Sequence, residues 1–385
     1  GRPVPFRGTI ATTLGIMDRR AFIAAGGAAA ALAAAPAPLR AARPPLEIVG
    51  QLFSYAVQGE ETLLDVARNF ELGYLDIVAA NPRIDPWLPG VGTELLLPTA
   101  HVLPQAPRRG IVINIPELRL YYFANDGVHT FPLGGGRDGR ETPLGRTSVT
   151  RKKKDPTWRP TPRMRREDPE LPAVVPPGPD NPLGEYAIYL GFPAYLIHGT
   201  HKPWGIGRRG SSGGIRLYPD GIERRYLMVK RGTPVTIVDQ PVKVGWLGSE
   251  LFMEAHLSNS QADEMEAVGK FTQSKARGVE SLIKRVALDD ADRVDWDLVI
   301  SLIAERSGVP TQITRPYAYA AARKRTVSPS PSPRPKTVVA SPEDHMRTLE
   351  ADLRARSGAL DWAADGEAPA AARAPRRLSP VQFGG

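Results

Sequence analysis

Tyr195-Leu-Ile-His-Gly-Thr-His-Lys-Pro-Trp-Gly-Ile-Gly-Arg-Arg-Gly-Ser-Ser-Gly-Gly-Ile-Arg-Leu-Tyr218 is the stretch that decides how this chain reads. Tyr195, Leu196 and Ile197 form a short apolar strand that delivers His198 into a glycine-rich turn. A second glycine-rich turn, Ser211 to Gly214, leads into Ile215, Arg216 and Leu217. Two glycine-dense loops facing each other across a sheet edge let backbone N–H groups and one imidazole converge on a ligand. The expected fold around this stretch is mostly β.

Composition bounds the rest. The 385 residues suffice for two or three compact units, and an apolar fraction of 42% supplies a core. The 39 prolines and 37 glycines favour short strands, turns and connectors. The formal net charge of +9 suits an anionic partner. The basic residues are dispersed and form no DNA- or RNA-reading motif, so nucleic acid is not the expected partner. There is no cysteine, which excludes disulfides, thiolate metal sites and cysteine catalysis.

The central stretch resembles the active-site segment of the L,D-transpeptidases (YkuD or ErfK/YbiS-like), whose pattern runs His-Gly-Thr, a spacer, then Ser-His-Gly-Cys-Ile-Arg. The resemblance implies a YkuD-type β-sandwich catalytic domain and a site without cofactor or metal. It puts His198 at the proton donor/acceptor position, Ser212 where the second histidine belongs, and Gly214 where the nucleophilic cysteine belongs. Gly199, Thr200, Ser211, Gly213 and Arg216 fall at substrate-binding positions, Arg216 for loop bracing or carboxylate binding. Gly134–Gly139 with Thr142-Pro143-Leu144-Gly145 resembles the family's Gly-x-x-x-Thr-Pro-x-Gly turn. In the family a cysteine thiolate attacks a stem-peptide amide, and Gly214 offers nothing to activate. Two readings stay open: a degenerate member that binds peptidoglycan, or an active acyltransferase using serine or the substrate itself. His198 and His201, three apart in a loop, have no carboxylate cluster nearby in sequence and do not indicate a metal.

Outward from there, residues 109–240 form the sheet domain, with strands at 111–116, 118–123, 128–133, 186–190 and 232–238 and a helix after Pro219. Arg146 to Pro182 carries Lys152-Lys153-Lys154, Trp158, Arg163, Arg165 and Arg166. It reads as a surface excursion, either a lid whose cations meet the acidic stem peptide or a solvated insert. Residues 50–100 read strand–helix–helix–strand, with Thr62 as N-cap and Asn81-Pro82 as stop. Tyr55, Val57, Gly59, Glu61, Thr62 and Leu63 resemble the LysM pattern, with Glu61 for the usual aspartate. That resemblance implies glycan binding at Gly59–Thr62 and Asn81–Ile84, including Gly59, Glu61, Thr62, Asn81 and Ile84. The alternative is a spacer without ligand.

Met17 reads as a natural start. Arg19-Arg20 before an Ala/Gly run resembles an export signal of the twin-arginine type over 17–45, with the general secretory (Sec) route as the alternative, implying a periplasmic or cell-envelope protein that meets membrane only through that segment if uncleaved. Helices are expected over Ser260–Leu288 and Asp292–Arg306, forming a C-terminal extension at 255–310. From 327 to 385 the Ser-Pro and alanine-rich sequence reads as a disordered tail. The implied partner is peptidoglycan, through both its stem peptides and its glycan strands.

Overall fold

A computed structural model describes residues 47–137, 139–211, 213–274, 277–316 and 379–380. The expected export signal, Ser212 and the tail apart from Ser379–Pro380 lie outside these residues. Among the described residues, no helix is long and apolar enough to cross a membrane.

The N-terminal module has the expected strand–helix–helix–strand order. β1 (Ile48–Val49) is followed by β2 (Phe53–Ala56), α1 (Leu63–Asn69), α2 (Tyr74–Ala80), β3 (Glu94–Leu97) and β4 (His101–Val102). β2 and β3 pair antiparallel, and β1 pairs with β4. Thr62 begins α1 with a capping box: its hydroxyl accepts from Asp65 N, and the Asp65 carboxylate accepts from Thr62 N at 2.9 Å. Leu63, Val66 and Ala67 turn one face of α1 inward against Tyr55, Ile77, Leu95 and Leu97.

The large domain is one curled eight-stranded sheet. It takes β5 (Gly110–Asn114), β6 (Arg119–Ala124), β7 (Gly127–Pro132), β9 (Gly145–Lys154), β10 (Tyr186–Leu190), β11 (Leu196–His198), β13 (Ile215–Arg216) and β14 (Pro234–Val238). Their order across the sheet is β13-β11-β10-β9-β14-β5-β6-β7. Two-residue β8 (Gly135–Gly136) pairs with β12 (Arg209–Ser211) at the closing edge. The two halves face each other as a sandwich: Leu120, Phe131 and Leu133 from one end share a core with Ile197, Ile215 and Leu217 from the other. Helix α4 (Pro219–Met228) adds Ile222 to that core.

One sequence expectation is corrected here. Residues 145–154 are not surface excursion but a ten-residue strand between β10 and β14 in the middle of the sheet. Val149 points into the core, and cations farther along the strand lie over aromatic rings. Arg151 sits 4.0 Å from the Tyr189 ring centre and Lys152 4.4 Å from that of Tyr226. Long cationic stems cover apolar surface while their heads reach water or a carbonyl, as Lys152 Nζ reaches Val229 O at 2.7 Å, which lets a Lys-Lys-Lys run occupy a central strand. The true insert is 155–185, with one short helix, α3 (Pro162–Glu167).

The C-terminal part also differs from expectation. It opens with a hairpin, β15 (Val242–Leu247) and β16 (Glu250–Ala255), before any helix. The single helix expected over 260–288 is two, α5 (Asn259–Val268) and α6 (Val279–Ala287), because Gly269 ends α5 in the left-handed conformation at φ 70°. α7 (Trp296–Glu305) starts at the N-cap Asp295, and β17 (Thr311–Gln312) pairs with β16. Ile283, Val299 and Leu302 pack on the hairpin residues Val244, Leu251 and Met253. In the tail, β18 (Ser379–Pro380) pairs with β2.

The module, sheet and hairpin meet at a fully buried charge network. Lys243 Nζ lies 2.8 Å from Glu117 and 3.0 Å from Glu254. His101 Nδ1 is 3.5 Å and 3.6 Å from the same two carboxylates. These three residues are close enough to hold a cation, and the Lys243 ammonium already fills that role. It outweighs the cost of burial and holds the Glu254 carboxyl well below the usual range. Lys243→Met should therefore cost about 3–5 kcal/mol at pH 7, since two buried carboxylates lose their cation. The loss should shrink as falling pH neutralises them, which urea denaturation at pH 7 and pH 5 would measure.

Candidate active site

β11 ends at His198 and β13 begins at Ile215. The two strands run parallel, with Ile197 opposite Ile215 and His198 opposite Arg216. His198 Nδ1 lies 2.6 Å from Gly199 O. A carbonyl can only accept, so Nδ1 carries the proton and Nε2 is the basic nitrogen. That nitrogen faces position 214: a Cβ built on Gly214 would lie 2.7 Å from Nε2. Any side chain there requires the ring to give way. Burial above all, with a smaller contribution from the charge of Arg216, pushes the His198 pKa down to about 4. At neutral pH the site thus holds a neutral imidazole whose basic nitrogen is aimed at a residue without a side chain.

The turn carrying Gly214 is braced from several directions. Ser211 Oγ donates to Gly214 O at 2.6 Å and accepts from Gly213 N at 3.1 Å. Gly213 sits at φ 109°, where a side chain is strained, whereas Gly214 does not need glycine for its backbone. Thr142 Oγ1 donates to Gly213 O at 3.2 Å. The Thr-Pro-x-Gly turn was legible as a turn, but its hydroxyl contact with Gly213, next to position 214, was not. Arg216 turns its guanidinium over Gly205 and Gly210, and its Nε has no hydrogen-bond partner among the described residues.

On the other side of His198, Gly199 N donates to Tyr186 O at 3.1 Å, and the buried Thr200 hydroxyl accepts from Lys202 N at 2.9 Å. Gly199, Thr200 and His201 line a cavity of about 470 Å³. Asp155, Glu185, Asp220 and Glu223 stand on its walls, with no lysine or arginine among the lining residues. In a chain of net charge +9 this is a local reversal that favours cationic groups.

The N-terminal module forms a wall of the site. Tyr74 N donates to Ile206 O and Leu75 N to Gly207 O, each at 3.2 Å. A Cβ on Gly207 would fall 2.3 Å from Gly73 Cα, so the two backbones meet glycine to glycine. Asp76 bonds the buried Arg119 at 2.7 Å, and the Arg208 guanidinium lies 3.8 Å from the Tyr74 ring centre. From the opposite side, α5 holds Arg209 through Asp263 at 2.7 Å and Glu266 at 3.0 Å. The sequence gives no local sign of these long-range contacts.

Most of the glycan positions expected in the module are tied into it by internal hydrogen bonds. Glu61 accepts from Tyr55 OH at 2.6 Å and Gln58 N at 3.0 Å. Thr62 caps α1. Asn81 donates to Ile77 O and Leu96 O and accepts from Leu96 N. Ile84 is half-buried against the module core, and Gly59, at φ 58°, faces open space.

Residues 108–237, which contain both His198 and Gly214, match the L,D-transpeptidase catalytic domain family, YkuD. Over 280 residues the chain is 41% identical to ErfK/SrfK of Escherichia coli (strain K12), a probable L,D-transpeptidase, covering 69% of this chain and 87% of that protein. YcfS of the same strain, also a probable L,D-transpeptidase, is 37% identical over 283 residues, or 70% and 85% of the two chains. YbiS, likewise described, is 39% identical over 259 residues, or 64% and 81%.

The depressed His198 pKa has a consequence for stability. Between its ordinary 6.5 and about 4, the unfolded chain takes up a proton that the folded site refuses. Stability from this group is present above pH 6.5 and lost as pH falls toward 4, by about 3 kcal/mol in all. His198→Gln should flatten the stability profile over that window, measured by urea unfolding at half-unit pH steps.

Proposed function

The chain belongs to the L,D-transpeptidase family, and from that membership we propose that it is a peptidoglycan-binding protein of the cell envelope that has lost transpeptidation. One observation carries this reading. His198 Nε2 faces position 214, and Gly214 has no atom to deprotonate or acylate. In the family, a cysteine there attacks the amide between the third and fourth stem-peptide residues, D-alanine leaves, and an acceptor amine resolves the thioester. The base and the tight turns of that chemistry are present, and the nucleophile is not. A serine route finds no support in Ser211, whose hydroxyl proton is directed to Gly214 O.

The acidic cavity beside Thr200 suits amino groups of wall peptides, and Arg216 suits their carboxylates. We assign the N-terminal module to glycan binding by its resemblance to LysM. Glu61, Thr62 and Asn81 then shape the loops through internal bonds, leaving exposed backbone around Gly59 for the sugar. Export through the Arg19-Arg20 segment brings the protein to its partner.

Gly214→Cys tests the site. The new thiol beside His198 should form a thioester with a carbapenem, read by intact-protein mass spectrometry, at a stability cost of about 1–3 kcal/mol as the ring moves. An adduct on the wild type would sink the lost-nucleophile reading. Separately, the full chain should sediment with insoluble peptidoglycan, and soluble N-acetylglucosamine oligomers should compete. Sedimentation that these oligomers leave unchanged would remove the glycan role from the module.

A further inference from the structure

The insert between β9 and β10 reaches back to the nucleophile turn through one carboxylate. Its base is fixed: the Asn181 side-chain amide donates to Pro156 O at 2.8 Å and Pro176 O at 2.9 Å. Its helix α3, capped by Thr161, buries none of its residues. At the end of α3, Glu167 pairs with Arg140, and Arg137 and Arg163 each stand 3.8 Å away.

Arg137 and Arg140 belong to the turn that braces position 214. Arg137 N donates to Ser211 O at 3.0 Å, and Thr142, two residues beyond Arg140, holds Gly213 O. Three guanidinium groups therefore converge on one carboxylate at the rim of the site. Glu141, the other described carboxylate on this turn, accepts from Gly139 N at 2.9 Å. Clustered cations repel one another unless an anion sits among them, and the planar guanidinium fork matches a carboxylate in particular. The Glu167 carboxyl is held below the usual range by Arg140 first, then by Arg163 and Arg137. The carboxylate is also within reach of solvent: the side chains of Arg137, Glu167 and Arg140 are 55%, 34% and 19% exposed, and pairs that water reaches are held by modest energies.

We propose that Arg137 and Arg140 form a carboxylate-binding site at the rim of the nucleophile turn, held in the free protein by Glu167, and that an acidic peptide occupies it by displacing Glu167 and releasing α3. The site follows from the arginine geometry. It rests on the proposed function only in the choice of a peptide as the ligand. No bond is made or broken; one carboxylate replaces another.

Fluorescence anisotropy on the full chain tests this, using a labelled peptide with two free carboxylates and its bis-amide as control. The dicarboxylate should bind about tenfold more tightly than the bis-amide, and Arg140→Gln should remove about that factor. Glu167→Gln should tighten binding about three- to tenfold, as expected when an internal competitor closes the site most of the time. In the wild type, saturating peptide should speed amide hydrogen exchange across residues 163–167. Equal binding of the bis-amide, or an affinity that Glu167→Gln leaves unchanged or weakens, would overturn the proposal. Either result in a protein that still sediments with peptidoglycan would leave the wall-binding function standing and remove only this site.

Discussion

A pair of backbone hydrogen bonds between Gly134 and Arg216 closes the sheet on itself. Gly134 N donates to Arg216 O at 2.8 Å, and Arg216 N donates to Gly134 O at 3.0 Å. They join the chain leaving β7 to β13, the two outermost strands of the eight-stranded order. A Cβ on Gly134 would come within 2.7 Å of Gly205 O and 3.1 Å of Arg216 Nε, so close approach makes glycine necessary there. Closure sets β13 beside β11, and β11 presents His198 to the turn before β13. The site's geometry is therefore a property of the sheet's ends, and it does not depend on which side chain occupies position 214.

The segment between the two glycine-rich turns is clamped from both sides by parts of the chain that take no part in the chemistry. The module holds Ile206 and Gly207 by backbone bonds, and α5 holds Arg209 by two carboxylates. Asp76 serves both neighbours, accepting from Gly73 N at the start of α2 and pairing with buried Arg119 of the sheet. Removing one partner of such a pair leaves a buried charge and costs about 3–5 kcal/mol, so the docking is stiff. The N-terminal module is a structural wall of the site as well as a candidate glycan reader.

Much of this was legible because the decisive signals are local. Thr62 announced α1, Asn81-Pro82 ended α2, and His198 stood at a strand end because an apolar run stops there. What failed was context. Lys152-Lys153-Lys154 looked like solvated loop, since charge alone does not reveal that Tyr226 on α4 and Tyr186 on the neighbouring β10 lie beside it. The alternation Val242, Val244, Trp246 was a readable strand, but the longer helical stripe after it masked it. The helix split at Gly269 follows an ordinary C-cap rule, which the apolar stripe running past it obscures in the sequence. Within the site, His198 and Gly214 were assigned by motif, yet no periodicity could tell that Nε2 faces the empty position. Arg209 with Asp263, and Arg119 with Asp76, are pairings across 54 and 43 residues that only the folded chain brings together.

On the proposed reading, the retained geometry has a thermodynamic logic. An enzyme gains rate only from contacts stronger in the transition state than in the bound ground state. Without a nucleophile at 214 there is no such transition state, and every contact the site makes becomes ground-state affinity. The charge layout fits that use: carboxylates line the cavity on the Thr200 side of His198, and arginines rim the Gly213 side. A peptide bearing both amines and carboxylates is oriented by such a dipolar site even when nothing is cleaved, because reversing it would set like charges together. The neutral His198 adds a hydrogen-bond acceptor at the centre without adding charge. On that reading a glycine at 214 forgoes turnover through a covalent intermediate and keeps orientation, which is what a wall-binding scaffold would require.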